Sequence, residues 1–370
     1  MKPRKEKVVL EDLTSISENQ VKTLKQNKVR TIFDLAQKSI MEIKVILDTT
    51  VSRASAINKE ARNTLPPFKI VNANMILKTE RERGYISTNN LALDSLLGGK
   101  GVEEGSITEF YSCFGAGKTQ TVMSTIASCL LATEKYPQGR YAIILDTEDT
   151  FNPDRLTQIL EYYKDHWPKD ENGEPVSVEK MLVKVIVAKP KDVTEQRLIV
   201  KEFIQQECTG HYKFMGETLQ NTPLGLLVVD SLTALFRSHY IGLGSLAQKQ
   251  QKLNNHLRDI AIFSDTTACA VIVTNQVMDC PDLFMSKVEQ AVGGHVVAHS
   301  TKYRVFFGKR GNNKYRIARL VDSSRLPTRE IAFKLGKRGI LEIDEEDGSP
   351  EEYKEYLKES GEKRRKGASA

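Results

Sequence analysis

Phe110-Tyr-Ser-Cys-Phe-Gly-Ala-Gly-Lys-Thr-Gln120 is the stretch whose reading decides the fold of this chain. Gly105 to Tyr111 ahead of it reads as a short buried strand. Thr119 to Glu134 behind it reads as a helix with an apolar face of Val122, Ile126 and Leu130. A strand feeding a glycine-rich turn that opens a helix is the setting of a phosphate-binding loop. In that setting the backbone around Phe114, Gly115, Ala116, Gly117, Lys118, Thr119 and Gln120 cradles phosphates at the positive end of the helix. Lys118 reaches the outer phosphates and the Thr119 hydroxyl ligates Mg2+. One residue departs from the signature: Ser112 stands where it asks for glycine. If that position requires a positive φ, serine there costs about 1–3 kcal/mol in strain. The competing reading is a plain loop that ends in lysine.

Downstream, apolar runs of strand length alternate with helical patterns. The runs are Arg140–Asp146, Met181–Val187, Leu224–Asp230 and Ala268–Asn275. The helical stretches are Pro153–Lys164, Val193–Glu207 and the long amphipathic Gln248–Phe263. Continuous apolar strands separated by helices imply an α/β core with a mainly parallel twisted sheet covered on both faces. His166 to Val178, with two prolines and a glycine among charges, reads as a surface loop. Tyr303–Gly308 and Tyr315–Val321 flank Arg310-Gly-Asn-Asn313 as a hairpin. Upstream, residues 1–63 differ. Helical spacing and the capping-box words Ser17-x-x-Gln20 and Ser39-x-x-Glu42, with a similar start at Thr31-x-x-Asp34, describe a small all-α domain of about four helices. Leu65-Pro-Pro-Phe68 breaks that pattern and opens a linker over 64–84. The core then runs over 85–343, and a charged, aperiodic tail over 344–370.

The composition suits a soluble globular protein: 370 residues, 40% hydrophobic, 28% charged, net charge +6. No apolar run approaches the length of a membrane span, and no signal-peptide core follows the basic start. Five cysteines without CxxC or zinc spacing fit reduced thiols in the cytoplasm. The positive charge permits an anionic partner without requiring one.

Two acidic strand ends carry chemistry. Asp230, after Leu-Leu-Val-Val, fits the aspartate that completes a Mg2+ shell beside the loop hydroxyl, or a structural cap for the next helix. Glu148, in Asp146-Thr-Glu-Asp-Thr-Phe-Asn-Pro-Asp-Arg155, is placed to activate water or belongs to a solvated acidic loop.

The order of these words, together with Leu93-Asp-Ser-Leu-Leu-Gly-Gly99, Val229-Asp-Ser-Leu-Thr233, Val273-Thr-Asn-Gln-Val277 and Gly293-Gly-His295, resembles the RecA/RadA strand-exchange recombinases, in particular their archaeal RadA branch. The resemblance spans about residues 85 to 343. It implies a RecA-like P-loop ATPase core behind a helix-hairpin-helix-like domain, with ATP and Mg2+ as cofactors. It implies single- and double-stranded DNA as partners, and assembly into a helical filament or ring. By the same resemblance Glu148 activates water, Arg155 stacks on adenine, and Gln276 senses the γ-phosphate. Two loops would touch DNA, one after Asp230 and one over Met278–Val292. Arg237, Tyr240, Lys249, Lys287 and Arg304 are the expected DNA contacts.

Departures cluster at functional places. Leu243 stands where the family has arginine, and Asp279-Cys280 replace a usual Ala-Arg. Lys287-Val-Glu-Gln-Ala291 stands where relatives carry the Asp-Pro-x-Lys-Pro cap on the neighbouring subunit's ATP. Thr14-Ser-Ile-Ser-Glu18 lacks the Gly-x-Gly of the first hairpin. Phe68-Lys-Ile-Val-Asn-Ala73 is two residues longer than the Phe-x-x-Ala tether, leaving Phe68, Ile70 and Ala73 as expected subunit contacts. A diverged paralogue that assists a second recombinase, as a mediator with weak filament formation, is the alternative expectation.

Overall fold

The computed structural model describes residues 10–27, 29–64, 72–209, 222–240, 244, 246–278, 290–310 and 315–343. Four helices open it: α1 (Glu18–Gln26), α2 (Ile32–Gln37), α3 (Ile40–Leu47) and α4 (Val51–Thr64). The side chains of Ser17, Thr31 and Ser39 each accept from the backbone N–H three residues on. Gln20, Asp34 and Glu42 bond back to the cap N–H. Each box pairs two donors that a bare helix start leaves unsatisfied. Leu24, Ile32, Leu35, Ile43, Ala54 and Ile57 are fully buried in the apolar centre of this layer.

The stretch expected as linker is partly helical. Asn72 caps Met75 N–H and starts α5 (Ala73–Arg81), because a side-chain cap can restart a helix that prolines have stopped. No residue of α5 is buried. Its exit is fastened to the core: buried Glu103 accepts from Arg83 Nη1 at 2.6 Å, Lys302 Nζ at 2.8 Å and the Tyr303 hydroxyl at 2.5 Å.

The core begins with β1 (Tyr85–Ile86), α6 (Leu91–Leu96) and β2 (Val102–Glu103). Then come β3 (Ile107–Ser112), α7 (Lys118–Leu130), β4 (Tyr141–Asp146) and α8 (Pro153–Tyr162). A short helix α9 (Val178–Leu182) follows and delays the next strand to β5 (Val185–Ala188). The strand expected from Met181 is thereby corrected: Ser177 accepts from Lys180 N–H and turns the first residues into helix. The chain continues through α10 (Val193–Thr209), β6 (Leu224–Asp230), α11 (Ala234–His239), α12 (Leu246–Thr267) and β7 (Ala270–Met278). It closes with β8 (Gln290–Ala291), α13 (Gly294–Ser300), β9 (Tyr303–Arg310), β10 (Tyr315–Ser323), β11 (Arg329–Gly336) and β12 (Gly339–Leu341).

The large sheet has the order β12-β11-β10-β9-β3-β7-β6-β4-β5. From β9 to β5 the neighbours are parallel, and β9 to β12 are antiparallel. The expected hairpin is present as β9 and β10, with Ile317 opposite Gly308. The extension into β11 and β12 was not expected from the sequence. Along β6, Leu226 and Val228 enter the layer with α7 and α8, while Leu227 and Val229 enter the layer with α10 and α12. Because both faces are covered, every second residue is apolar on each side, and the strand reads as an unbroken apolar run.

Candidate active site

Strand register alone assembles the site. Ser112 pairs with Gln276, and Asp146 with Asp230. Val229 pairs with Val273, which sets Asp230 level with Thr274. Four carboxyl strand ends thus present their polar residues along one rim, where α/β sheets hold ligands.

The loop between β3 and α7 bends at Gly115 (φ 73°) and Gly117 (φ 112°). Those left-handed values favour glycine, and a Cβ on Gly117 would meet the Phe333 ring at 3.4 Å. Ser112 is the last residue of β3 and is absent from the positive-φ residues. The strain expected at that position therefore does not arise. Instead its side chain takes a role that glycine has no atom for. Lys118 Nζ donates to Ser112 Oγ at 2.6 Å, to Ser112 O at 3.2 Å and to Cys113 O at 3.3 Å. Ser112 Oγ donates to Cys113 O at 2.6 Å. Burial lowers the Lys118 pKa, and the charges of Asp230 and Glu148 oppose that shift. Phe114 stands 91% exposed at the tip.

Asp230 is buried. Thr274 Oγ1 donates to its Oδ1 at 2.5 Å and Thr119 Oγ1 to its Oδ2 at 3.3 Å. Burial raises its pKa, with Glu148 and Asp146 adding to the rise against the Thr274 hydrogen bond and Lys118. Thr119 Oγ1 and Asp230 Oδ2 set a hydroxyl and a carboxylate oxygen side by side. This donor set fits a hard divalent cation; Thr119 and Asp230 would hold Mg2+ there. The Asp230–Ser231 peptide is cis.

Glu148 is positioned by its own loop. Asp146 accepts from Thr150 N–H and Phe151 N–H, both at 3.0 Å, and so folds residues 147–151 over the end of β4. Glu148 Oε1 then accepts from Ser231 Oγ and Gln276 Nε2, each at 3.0 Å. Arg155 lies in the first turn of α8. Its Nε donates to Gln120 Oε1 at 2.9 Å, and its guanidinium to the Gly336 and Lys337 carbonyls. It links α8 to α7 and to the turn between β11 and β12.

The residues expected at DNA are scattered. Arg237 on α11 and Lys249 on α12 lie near one another: burial lowers the Lys249 pKa, and the Arg237 charge adds to it. Tyr240 packs edge-on against His239, 4.9 Å between centroids. Arg304 is paired inside the sheet. Its Nε donates to fully buried Glu109 at 2.6 Å, and its guanidinium lies over the Tyr111 ring. It is held within the sheet and not on a loop, because β9 runs beside β3. Lys287, Phe68 and Ile70 lie outside the described residues, as do Leu243, Asp279 and Cys280. Ala73 is the exposed first residue of α5.

In the N-terminal domain, the donors a phosphate would use at the first hairpin are already engaged. The Glu60 carboxylate accepts from Thr14 N–H at 2.7 Å and Ser15 N–H at 2.9 Å. Burial would raise its pKa, but the bonds from Ser15 and Thr14 outweigh that and hold it at about 2. Sequence reasoning had only missing glycines to go on there. It also passed over Ser231 and Thr274, which stand beside assigned residues in Val229-Asp-Ser-Leu-Thr233 and Val273-Thr-Asn-Gln-Val277.

Compared with known proteins, residues 80–343 match the Rad51 family. The chain is 34% identical over 341 residues to the DNA repair and recombination protein RadA of Cenarchaeum symbiosum (strain A), covering 91% of this chain and 79% of the relative.

Proposed function

The chain belongs to the Rad51 family, and from that membership we propose that it is an ATP-dependent recombinase of DNA repair, one that binds single-stranded DNA and promotes homologous pairing and strand exchange. One observation carries the reading: Lys118, Thr119, Asp230, Glu148 and Gln276 converge on one sheet rim, with Thr119 bonded to Asp230 and Gln276 to Glu148. Phosphoryl transfer asks the protein for little beyond positioning and charge stabilisation. Lys118 supplies a movable ammonium to the outer phosphates. Glu148 takes the proton from the attacking water, an oxygen acid–base role within its reach. Thr119 and Asp230 hold Mg2+, whose charge offsets that of the phosphates. Gln276, on β7 and bonded to Glu148, reports the state of the phosphates to the DNA side along the strand that leads toward 279–289.

The protein's partners in this reading are single- and double-stranded DNA and further copies of itself, in a helical filament or ring, inside the cytoplasm. Among the described residues no helix is long and apolar enough to cross a membrane. The reading is tested by joint-molecule formation between a labelled single strand and a homologous duplex. With ATP and Mg2+ the wild type forms joint molecules, and hydrolysis responds to single-stranded DNA. Glu148→Gln binds ATP but hydrolyses it at least about a hundredfold more slowly, the scale of general-base loss. Absence of both joint molecules and DNA-responsive hydrolysis in the wild type rejects the proposal.

A further inference from the structure

Arg237, expected from the sequence to contact DNA, reaches instead toward the hydrolytic carboxylate. It lies on α11, directly behind the Asp230 strand end. Its Nη1 donates to Gln276 Oε1 at 2.5 Å, and its Nη2 stands 3.6 Å from Glu148 Oε1. Gln276 Nε2 donates to that same Glu148 oxygen at 3.0 Å, and Ser231 Oγ does so at 3.0 Å. A guanidinium offers only donors and a carboxylate only acceptors, so the amide between them has a single satisfying orientation. The three side chains close a ring, and Glu148 Oε1 is the oxygen on which its contacts meet.

We propose that Arg237 is a positioning residue that holds Glu148 and Gln276 in an idle arrangement until a DNA phosphate draws its guanidinium away; this rests on the ATPase reading above. The idle arrangement follows from the geometry. Glu148 Oε1 already accepts from Gln276 and Ser231 and faces the Arg237 guanidinium, so it is not free to accept from a water. The amide of Gln276, engaged at both ends, is not free to meet a phosphate. Departure of Arg237 removes the positive charge and releases the amide oxygen in one motion.

A phosphate is a competent rival for the guanidinium. Arginine binds phosphate in the same two-pronged geometry that it uses with carboxylates. Lys249 on α12 stands close enough to Arg237 for their charges to act on one another, and paired cations attract a phosphate more strongly than either does alone. With its side chain 35% exposed, Arg237 is open to a ligand while still touching the site. DNA binding and water activation thus draw on the same side chain.

The test is steady-state ATP hydrolysis by the full chain, with and without poly(dT), for the wild type, Arg237→Gln and Arg237→Lys. Arg237→Gln is expected to raise the DNA-free kcat on the order of tenfold, the factor equivalent to about 1.4 kcal/mol. Its KM for ATP should stay within about twofold, since the ground-state phosphate contacts are untouched. Arg237→Lys keeps the charge but cannot bridge two partners, and should fall between the two. A plain DNA contact leaves the DNA-free rate where it was, and a merely structural residue lowers it together with the melting temperature. A DNA-free kcat at or below the wild-type value in a folded Arg237→Gln overturns the proposal. If that variant does not fold, Arg237→Lys decides by the same criterion. If the wild type hydrolyses ATP with neither DNA present nor absent, the ATPase reading falls and the proposal with it. A DNA-stimulated wild type with no gain in the variants leaves that reading standing and removes only the proposal.

Discussion

Removing the Ser112 hydroxyl should tighten ATP binding while making the free protein less stable. In the structure all three donors of the Lys118 ammonium are engaged, by Ser112 Oγ, Ser112 O and Cys113 O. A phosphate oxygen must therefore displace at least one of them. The Oγ bond, at 2.6 Å, is the shortest of the three. Hydrogen bonds to a charged group contribute about 1.5–3 kcal/mol net. The two carbonyls remain after Ser112→Ala, so the low end applies. Near 1.4 kcal/mol, the free state loses that stabilisation and the ATP complex does not, which lowers the Kd for ATP on the order of tenfold. Isothermal titration with a non-hydrolysed ATP analogue measures the Kd, and a thermal melt of the nucleotide-free protein measures the destabilisation. An unchanged or weaker Kd in Ser112→Ala, with the melt lowered, would refute the reasoning: the hydroxyl would then shape the loop for nucleotide. Ser112→Gly separates this from backbone strain. Since Ser112 has no positive φ, glycine should match alanine, and a gain confined to glycine would show strain at position 112.

Three further outcomes follow from charge placement and backbone geometry. Arg304→Ala leaves Glu109 fully buried with, among the described residues, Asn275 as its remaining side-chain partner; it should destabilise the fold by about 3–5 kcal/mol in urea unfolding, without weakening the DNA affinity of the folded fraction. Burial holds the His256 imidazole down at about 3, with Arg197 adding to the effect. Its folded pKa lies below the unfolded value of about 6.5, so its contribution is complete above pH 6.5 and is lost as pH falls toward 3, by up to about 1.4 kcal/mol per pH unit. Urea midpoints for the wild type and His256→Gln between pH 7 and 4 should converge as pH falls; parallel lines would exclude the assignment. Gly117→Ala, placed at φ 112° against Phe333, should weaken ATP binding and lower the melting temperature, both visible in the same titration and melt.

Much of this protein was legible in the order of its residues. Strand, turn and helix around Lys118, and apolar runs ending in Asp146, Asp230 and Asn275, dictate a two-faced parallel sheet because only a sheet covered on both sides buries such runs. The capping boxes at Ser17, Thr31 and Ser39 are local, closed within four residues, and form as read. What escaped were relations between residues far apart in the chain. Whether Ser112 is strained depends on the strand that ends at it, and whether Lys118 bonds to it depends on how the loop returns. Arg304 reads as a surface cation until β9 is set beside β3, where Glu109 claims it. Arg237 and Gln276 are 39 residues apart and meet only because β6 and β7 are neighbours. Local sequence determines which backbone each segment adopts, since its own hydrogen bonds and apolar period settle that. The partner of each charged side chain is decided by strand order and register, which are set by burial across the whole sheet.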